Sequence, residues 1–290
     1  MAKKSIYKTE EGKKQISDYY EALLSEWDQP SNQYMLETGY GETFVIESGD
    51  IKAPAIILLH GTGSNSAMWL ADIIRLAEKY HVIAIDIPGE CGKSAENRLD
   101  FKSNDYSCWL SEIIEKLGLK TMSIIACSLG GWIALDYSVK NPDKVNKLIL
   151  MATAGITQVK ISAIFLIILT SITGKWGFNK LNKIVYGTLK IDKKALQFAS
   201  LIKEHFIPRT DVFPVFTDNQ LRQIKSSTLF IGGENDCFYN SRKTSSRLEE
   251  NLIDFQCLVL KNTGHVLINQ TENILKFLNQ ESTGYNMEFN

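Results

Sequence analysis

The sequence predicts an α/β architecture, a mostly parallel central sheet flanked by helices, and three observations predict it. Short apolar runs at 55–59, 82–85, 122–126, 148–151, 229–231 and 257–260 are separated mostly by longer amphipathic segments, the alternation that parallel strands and covering helices produce. Glycines and polar residues follow several of these runs, at the carboxyl ends of strands where open parallel sheets carry their sites. The regular spacing then breaks between Gly155 and about Ser227, where helical segments intervene without a convincing strand. That stretch reads as a helical cap, 155–227, inserted after the sixth strand into a core of 1–154 and 228–290.

Each element follows from its local pattern. From about Thr9 to Trp27, Ile16, Tyr20, Leu23 and Leu24 fall at helical spacing with charges between them, which predicts an amphipathic helix packed on the main domain. Tyr34 to Leu36 and Thr43 to Ile46 flank Thr38-Gly39-Tyr40-Gly41, a hairpin of antiparallel edge strands with glycines in the turn. The run 55–59 ends in His60-Gly61-Thr62-Gly63, ahead of a helical pattern from Met68 to Tyr80. The run 122–126 leads through Cys127-Ser128-Leu129-Gly130-Gly131 into a helix beginning at Trp132. Inside the insertion Ile161, Ile164, Phe165, Ile168 and Leu169 share one helical face, suited either to lining an acyl pocket or to gluing cap to core. Trp176, Phe178 and Tyr186 fit either role.

Composition narrows the function class. The 290 residues are 44% hydrophobic and 22% charged, an ordinary globular balance with room for one core and one appendage. A formal net charge of -1 offers no broad basic surface to a nucleic-acid backbone. The five cysteines are scattered without a CxxC pair, which suits a reducing compartment and argues against a disulfide framework. Charged residues follow the two lysines near Met1, unlike a secretory signal, and the apolar stretch 161–172 is far shorter than the roughly 20 residues of a membrane helix. The expectation is a cytoplasmic protein without stable membrane insertion, acting on a small molecule. Homodimer formation is left open.

The chemistry is read from three turns. Ser128 sits between a strand and a helix, exposed at the carboxyl edge of the sheet and close to a helix N-terminus, whose partial positive charge favours developing anions. A serine there also caps helices, so the position alone decides nothing. In His60-Gly61-Thr62-Gly63 the glycines let backbone N–H groups turn inward. With the N–H of the residue after a nucleophile they form an oxyanion hole, here Thr62 and Leu129, with His60 and Gly61 beside the substrate and His60 ordering the loop. Downstream come Glu234-Asn235-Asp236 after one strand and Gly264-His265 after another. The order serine, acid, histidine suits Ser128 as nucleophile, His265 as base and Asp236 as the acid that holds the imidazole. Glu234, on the same turn, is the reserve.

These motifs resemble the α/β-hydrolase family over most of the chain, and in detail bacterial carboxylesterases of low-GC Gram-positive type. The resemblance rests on the elbow at Ser128, His60-Gly61, Asp86-Ile87-Pro88-Gly89 with Gly92 and Ser94, Gly233-Glu234-Asn235-Asp236, and Gly264-His265. Phe216-Thr217-Asp218 and Leu221 to Ile224, together with the stretch from Ile16 to Trp27, are similar to that subgroup as well. It implies the α/β-hydrolase fold and a serine esterase that cleaves a small or medium carboxylic ester through an acyl-enzyme, without a cofactor. Two departures stand out: Ala126 replaces the first glycine of the elbow, and Glu90-Cys91 interrupts a Pro-Gly-x-Gly-x-Ser turn.

Rival readings fit less well. Gly92-Lys93-Ser94 lacks the first glycine of a phosphate-binding loop, because Ile87 stands there, and Ser66 replaces the last glycine of a dinucleotide fingerprint. His60, His81, His205 and His265 have no zinc-enzyme spacing. Cys127 lies one residue before the apex of its turn, where a free cysteine acts as a small hydrophobe. Dehalogenases and epoxide hydrolases carry an aspartate where Ser128 stands. A ligand-binding protein, an acyltransferase or a hydrolase of another bond on the same fold is the remaining alternative.

Overall fold

The structure is a computed structural model that describes residues 5–163, 177, 184–187 and 192–280. Eight strands form one sheet: β1 (Asn32–Thr38), β2 (Gly41–Ser48), β3 (Ala55–Leu59), β4 (His81–Ile85), β5 (Met122–Cys127), β6 (Val145–Met151), β7 (Ser227–Gly233) and β8 (Phe255–Leu260). Their order is β1-β2-β4-β3-β5-β6-β7-β8, and every pair from β4 onward is parallel. The two antiparallel pairings are β1 with β2 and β2 with β4. Each apolar run therefore became a strand, and of the hairpin only β1 lies at the edge. Glycine at position 41 is needed because the hairpin turns there at φ +105°.

Helices cover both faces. α1 (Glu10–Glu26), α2 (Leu70–Leu76) and, at the C-terminal end, Thr271–Leu278 meet one face, while α3 (Asp105–Lys116) and α4 (Leu129–Lys140) meet the other. The period-2 alternation of strand side chains divides the core between these layers. In β3, Ile57 and Leu59 pack with Trp109, Ile113 and Ile133, whereas Ile56 and Leu58 pack with Tyr20, Ile73 and Phe277. All five residues of β3 are buried, so the strand shows no polar alternation in sequence. The helix expected from Met68 to Tyr80 is shorter. A tight 3-10 turn at Ser66–Trp69, started by the Asn65 side chain accepting from the Ala67 N–H, precedes α2, and the chain leaves the helix at Ala77 to enter β4.

Between β6 and β7 the described residues include α5 (Lys193–His205) and α6 (Asp218–Leu221). The N-terminal segment holds α5 in place. The Thr9 side chain caps α1 by accepting from the Gly12 N–H, and acidic Glu10 and Glu11 in the first turn suit the helix dipole. Residues just before α1 then clasp the end of α5: Tyr7 bridges Phe206, the Lys8 N–H donates to the His205 carbonyl at 2.8 Å, and the Ile207 N–H donates to the Ile6 carbonyl at 2.8 Å. Tyr19 of α1 stacks on Phe198 of α5 with ring centroids 5.3 Å apart. Among the described residues, no helix is long and apolar enough to cross a membrane.

Candidate active site

Ser128 occupies the turn from β5 into α4 with φ 49° and ψ −107°. A non-glycine residue pays about 1–3 kcal/mol for such a conformation, which persists only where the surroundings enforce it. Here the Ser128 N–H donates to the Met151 carbonyl on β6, and its own carbonyl accepts from Trp132 and Ala154. Glycine is required two residues on. A Cβ on Gly130 would lie 2.4 Å from the Leu59 carbonyl oxygen, and the Gly130 N–H donates to the His60 carbonyl at 3.0 Å. The elbow is thereby tied to the loop after β3. Ala126, at the first small position, is fully buried in register with Leu59 and Leu150, so its methyl group is part of the core.

The Ser128 hydroxyl makes no capping bond to its helix. It faces His265 instead, with Oγ 3.3 Å from Nε2, and the other ring nitrogen, Nδ1, lies 2.9 Å from Asp236 Oδ2. The second Asp236 oxygen accepts from the Phe238 and Tyr239 N–H groups at 2.7 and 3.1 Å, an Asx-type turn that sets the carboxylate toward the imidazole. The Phe238 ring stands edge-on to His265 at 4.7 Å between centroids. Asp236 is 1% exposed, whereas Glu234 reaches the surface and pairs with Arg242 at 3.0 Å. The reserve acid is thus directed away from His265. The acid and histidine loops touch at main-chain distance, since a Cβ on Gly233 would lie 2.0 Å from the Gly264 carbonyl oxygen.

Leu129 opens α4, where the first-turn N–H groups have no intrahelical acceptor. Thr62 follows Gly61, whose position borders Ser128: a Cβ there would stand 3.4 Å from that of Ser128. His60 is corrected from a substrate contact to a scaffold of the loop. Its ring is fully buried, with Nδ1 2.8 Å from the Gly61 carbonyl and Nε2 accepting from the Ile87 N–H at 2.8 Å. An accepting Nε2 needs a neutral ring, and burial lowers the His60 pKa, against an opposing pull from Asp86. The expected cap residues Ile164, Phe165 and Ile168 lie outside the described residues, as do Leu169, Trp176 and Phe178. Ile161 is exposed and Tyr186 half-buried.

Residues 54–209 match the family model described as alpha/beta hydrolase fold. The chain belongs to the α/β-hydrolase family. Among its relatives, this hydrolase is 28% identical over 284 residues to an uncharacterized carboxylesterase, nap, of Bacillus subtilis, covering 91% of this chain and 92% of that one. It is 27% identical over 257 residues to the carboxylesterase YbfK of the same organism, covering 86% of each chain. A crystal structure of a naproxen esterase from Bacillus subtilis superposes with a TM-score of 0.81 at 27% identity, over 94% of this chain and all of the other.

Several contributors to the hydrolase site were not singled out as site residues from sequence. The backbone donors of Phe238 and Tyr239 were legible in principle, because an aspartate at the start of a loop commonly accepts from the N–H two residues on. Lys160, whose Nζ donates to the Asp236 carbonyl at 2.5 Å, comes from a distant segment and left no local signal. Glu90 is another such contact: it accepts from the Gly63 N–H at 2.7 Å. Cys127 is unsuited to serve as the nucleophile, since burial first, and Asp236 second, push its thiol up to about 12.

Proposed function

We propose that this chain hydrolyses carboxylic esters by acyl transfer, with Ser128 as nucleophile, His265 as general base and Asp236 as the acid that orients the imidazole. The observation that carries this reading is the continuous relay from Asp236 Oδ2 through His265 to Ser128 Oγ, at 2.9 and 3.3 Å, on a serine held at positive φ. In the first step the Ser128 oxygen bonds to the ester carbonyl carbon while His265 takes its proton. The Leu129 and Thr62 N–H groups stabilise the resulting oxyanion. Collapse of the intermediate expels the alcohol, which receives the proton from His265. Water, activated by the same imidazole, then attacks the acyl-enzyme and releases the acid.

The similarity to carboxylesterases over most of both chains supports a small-molecule ester substrate. Residues 155–227 serve as the cap that selects it. Two contacts support this role: Ile202 of α5 comes within 3.9 Å of the Cβ position of Gly63, and the Val185 carbonyl accepts from the Val266 N–H beside His265. The scattered cysteines, without a CxxC pair, support a reducing, cytoplasmic location.

The test is turnover of a p-nitrophenyl ester series of increasing acyl length, with a naproxen ester added because one solved relative is a naproxen esterase. Hydrolysis that disappears in Ser128→Ala supports the serine mechanism, and the chain-length optimum measures the space beneath the cap. Equal turnover in the variant refutes it.

A further inference from the structure

The loop after β4 departs from the family-like Pro-Gly-x-Gly-x-Ser turn at Glu90, and this residue is only 1% exposed. Its Oε2 accepts from the Gly63 N–H at 2.7 Å, while its Oε1 is buried without a hydrogen-bond partner. Two guanidinium groups act on it from nearby. Arg209 lies 3.8 Å over the Phe101 ring and bonds to the Tyr106 hydroxyl and Asp211; Arg98 bonds to the Gly89 and Ile207 carbonyls. Tyr7, Cys91 and Tyr106 are the other titratable groups that sense its charge. A buried carboxyl with one oxygen unmet costs free energy. What it does in return is hold one N–H of the loop that carries Thr62.

We propose that Glu90 is a positioning residue for this loop: its ionised carboxylate pins the Gly63 N–H and so directs the adjacent Thr62 N–H toward the substrate carbonyl. This rests on the acyl-transfer reading above. With the Gly63 N–H engaged by Glu90, the Thr62 N–H is the one assigned to the oxyanion above. The Gly63 N–H belongs to the Thr62–Gly63 peptide, so holding it, with Gly63 at φ +63°, fixes the backbone on the C-terminal side of Thr62, one residue from the peptide that carries the Thr62 N–H. A charged acceptor binds an N–H about twice as strongly as a neutral one, so protonating Glu90 loosens the loop.

Burial pushes the Glu90 carboxyl from its ordinary 4.5 up to about 7, against the lowering pull of the Gly63 N–H, Arg209 and Arg98. Between those two values the folded chain keeps a proton that the unfolded chain has released, so folding stability falls as pH rises through the window. Activity moves the other way, because the ionised form is the one that holds the loop.

The experiment measures kcat and KM of the full chain on a p-nitrophenyl ester across about pH 5 to 9, for wild type, Glu90→Gln and Ser128→Ala. The ratio of kcat in wild type to kcat in Glu90→Gln should grow about tenfold as pH rises through about 7, where the buried Glu90 carboxyl ionises. Glu90→Gln, which keeps an acceptor but no charge, should have a kcat about tenfold lower than wild type at pH 8 and close to wild type at pH 5, with KM within about twofold. Its melting temperature relative to wild type should rise with pH, because the variant lacks the buried ionisation. A ratio that stays constant across this pH range overturns the proposal; if Glu90→Gln does not fold, Glu90→Asp, one methylene too short to reach the Gly63 N–H, should show the same loss of about tenfold at pH 8. Turnover that survives in Ser128→Ala instead overturns the acyl-transfer reading.

Discussion

Ser128 sits in the middle of the sheet, on a turn enclosed by β3, β5 and β6, whereas Asp236 and His265 sit on loops after β7 and β8 at one end of it. The serine turn is held mainly by main-chain sterics: a positive φ, a glycine pressed against the Leu59 carbonyl, and ladder-like bonds to Met151 and His60. Asp236 and His265 are held mainly by hydrogen bonds to the Asp236 carboxylate, from the Phe238 and Tyr239 N–H groups and between Asp236 and the His265 ring, with one close glycine contact at Gly233. The two halves should therefore fail differently. Substitutions at the turn should disturb the backbone and stability together; substitutions at Asp236 should change the hydrogen bonding of His265 and leave the fold intact.

The largest effect tests the reacting atom by itself. Ser128→Ala keeps the same backbone demand and should lose about 10⁵-fold or more in kcat, with stability changed by less than about 1 kcal/mol in a denaturant melt. Next comes the acid: Asp236→Asn should lower kcat about 10⁴-fold by presenting the wrong partner to His265, while the fold persists. Glu234→Gln, at the surface beside Arg242, should change kcat less than about twofold. Reversal of these two results would move the acid role to Glu234. A steric test of the turn is Gly130→Ala, which places a Cβ 2.4 Å from the Leu59 oxygen. We expect a loss of about 2–4 kcal/mol together with most activity, seen as a lower urea midpoint; stability equal to wild type would show that the turn yields. The mildest change at the turn is Ala126→Gly, which removes a buried methyl but no required contact, and should cost about 1 kcal/mol with kcat within about twofold.

Much of this arrangement was readable from local chemistry. Strands announced themselves as short apolar runs because both faces of the sheet are covered, and the three turns at Ser128, Asp236 and His265 followed those runs in chain order. Glycines at 130 and 233 marked close main-chain approaches, although the atoms they approach lie far away in sequence. The shorter α2 escaped notice because Asn65 starts a 3-10 turn within an otherwise helical pattern.

Other features depended on the folded chain. Asp236 and Glu234 are two residues apart, and only the direction of their loop buries one beside His265 and sends the other to Arg242. His60 looked like a substrate neighbour until both ring nitrogens were seen engaged by the Gly61 and Ile87 backbone. Glu90 looked like an interruption of a turn, yet it reaches Gly63 across 27 positions, and Tyr7 meets Phe206 across 199 positions. Periodicity and turn preference act over a few residues, so they specify strands, helices and the turns that carry reactive groups. Burial, charge and the choice between two nearby carboxylates are set by whatever the fold brings from elsewhere, and that information is spread over the whole sequence.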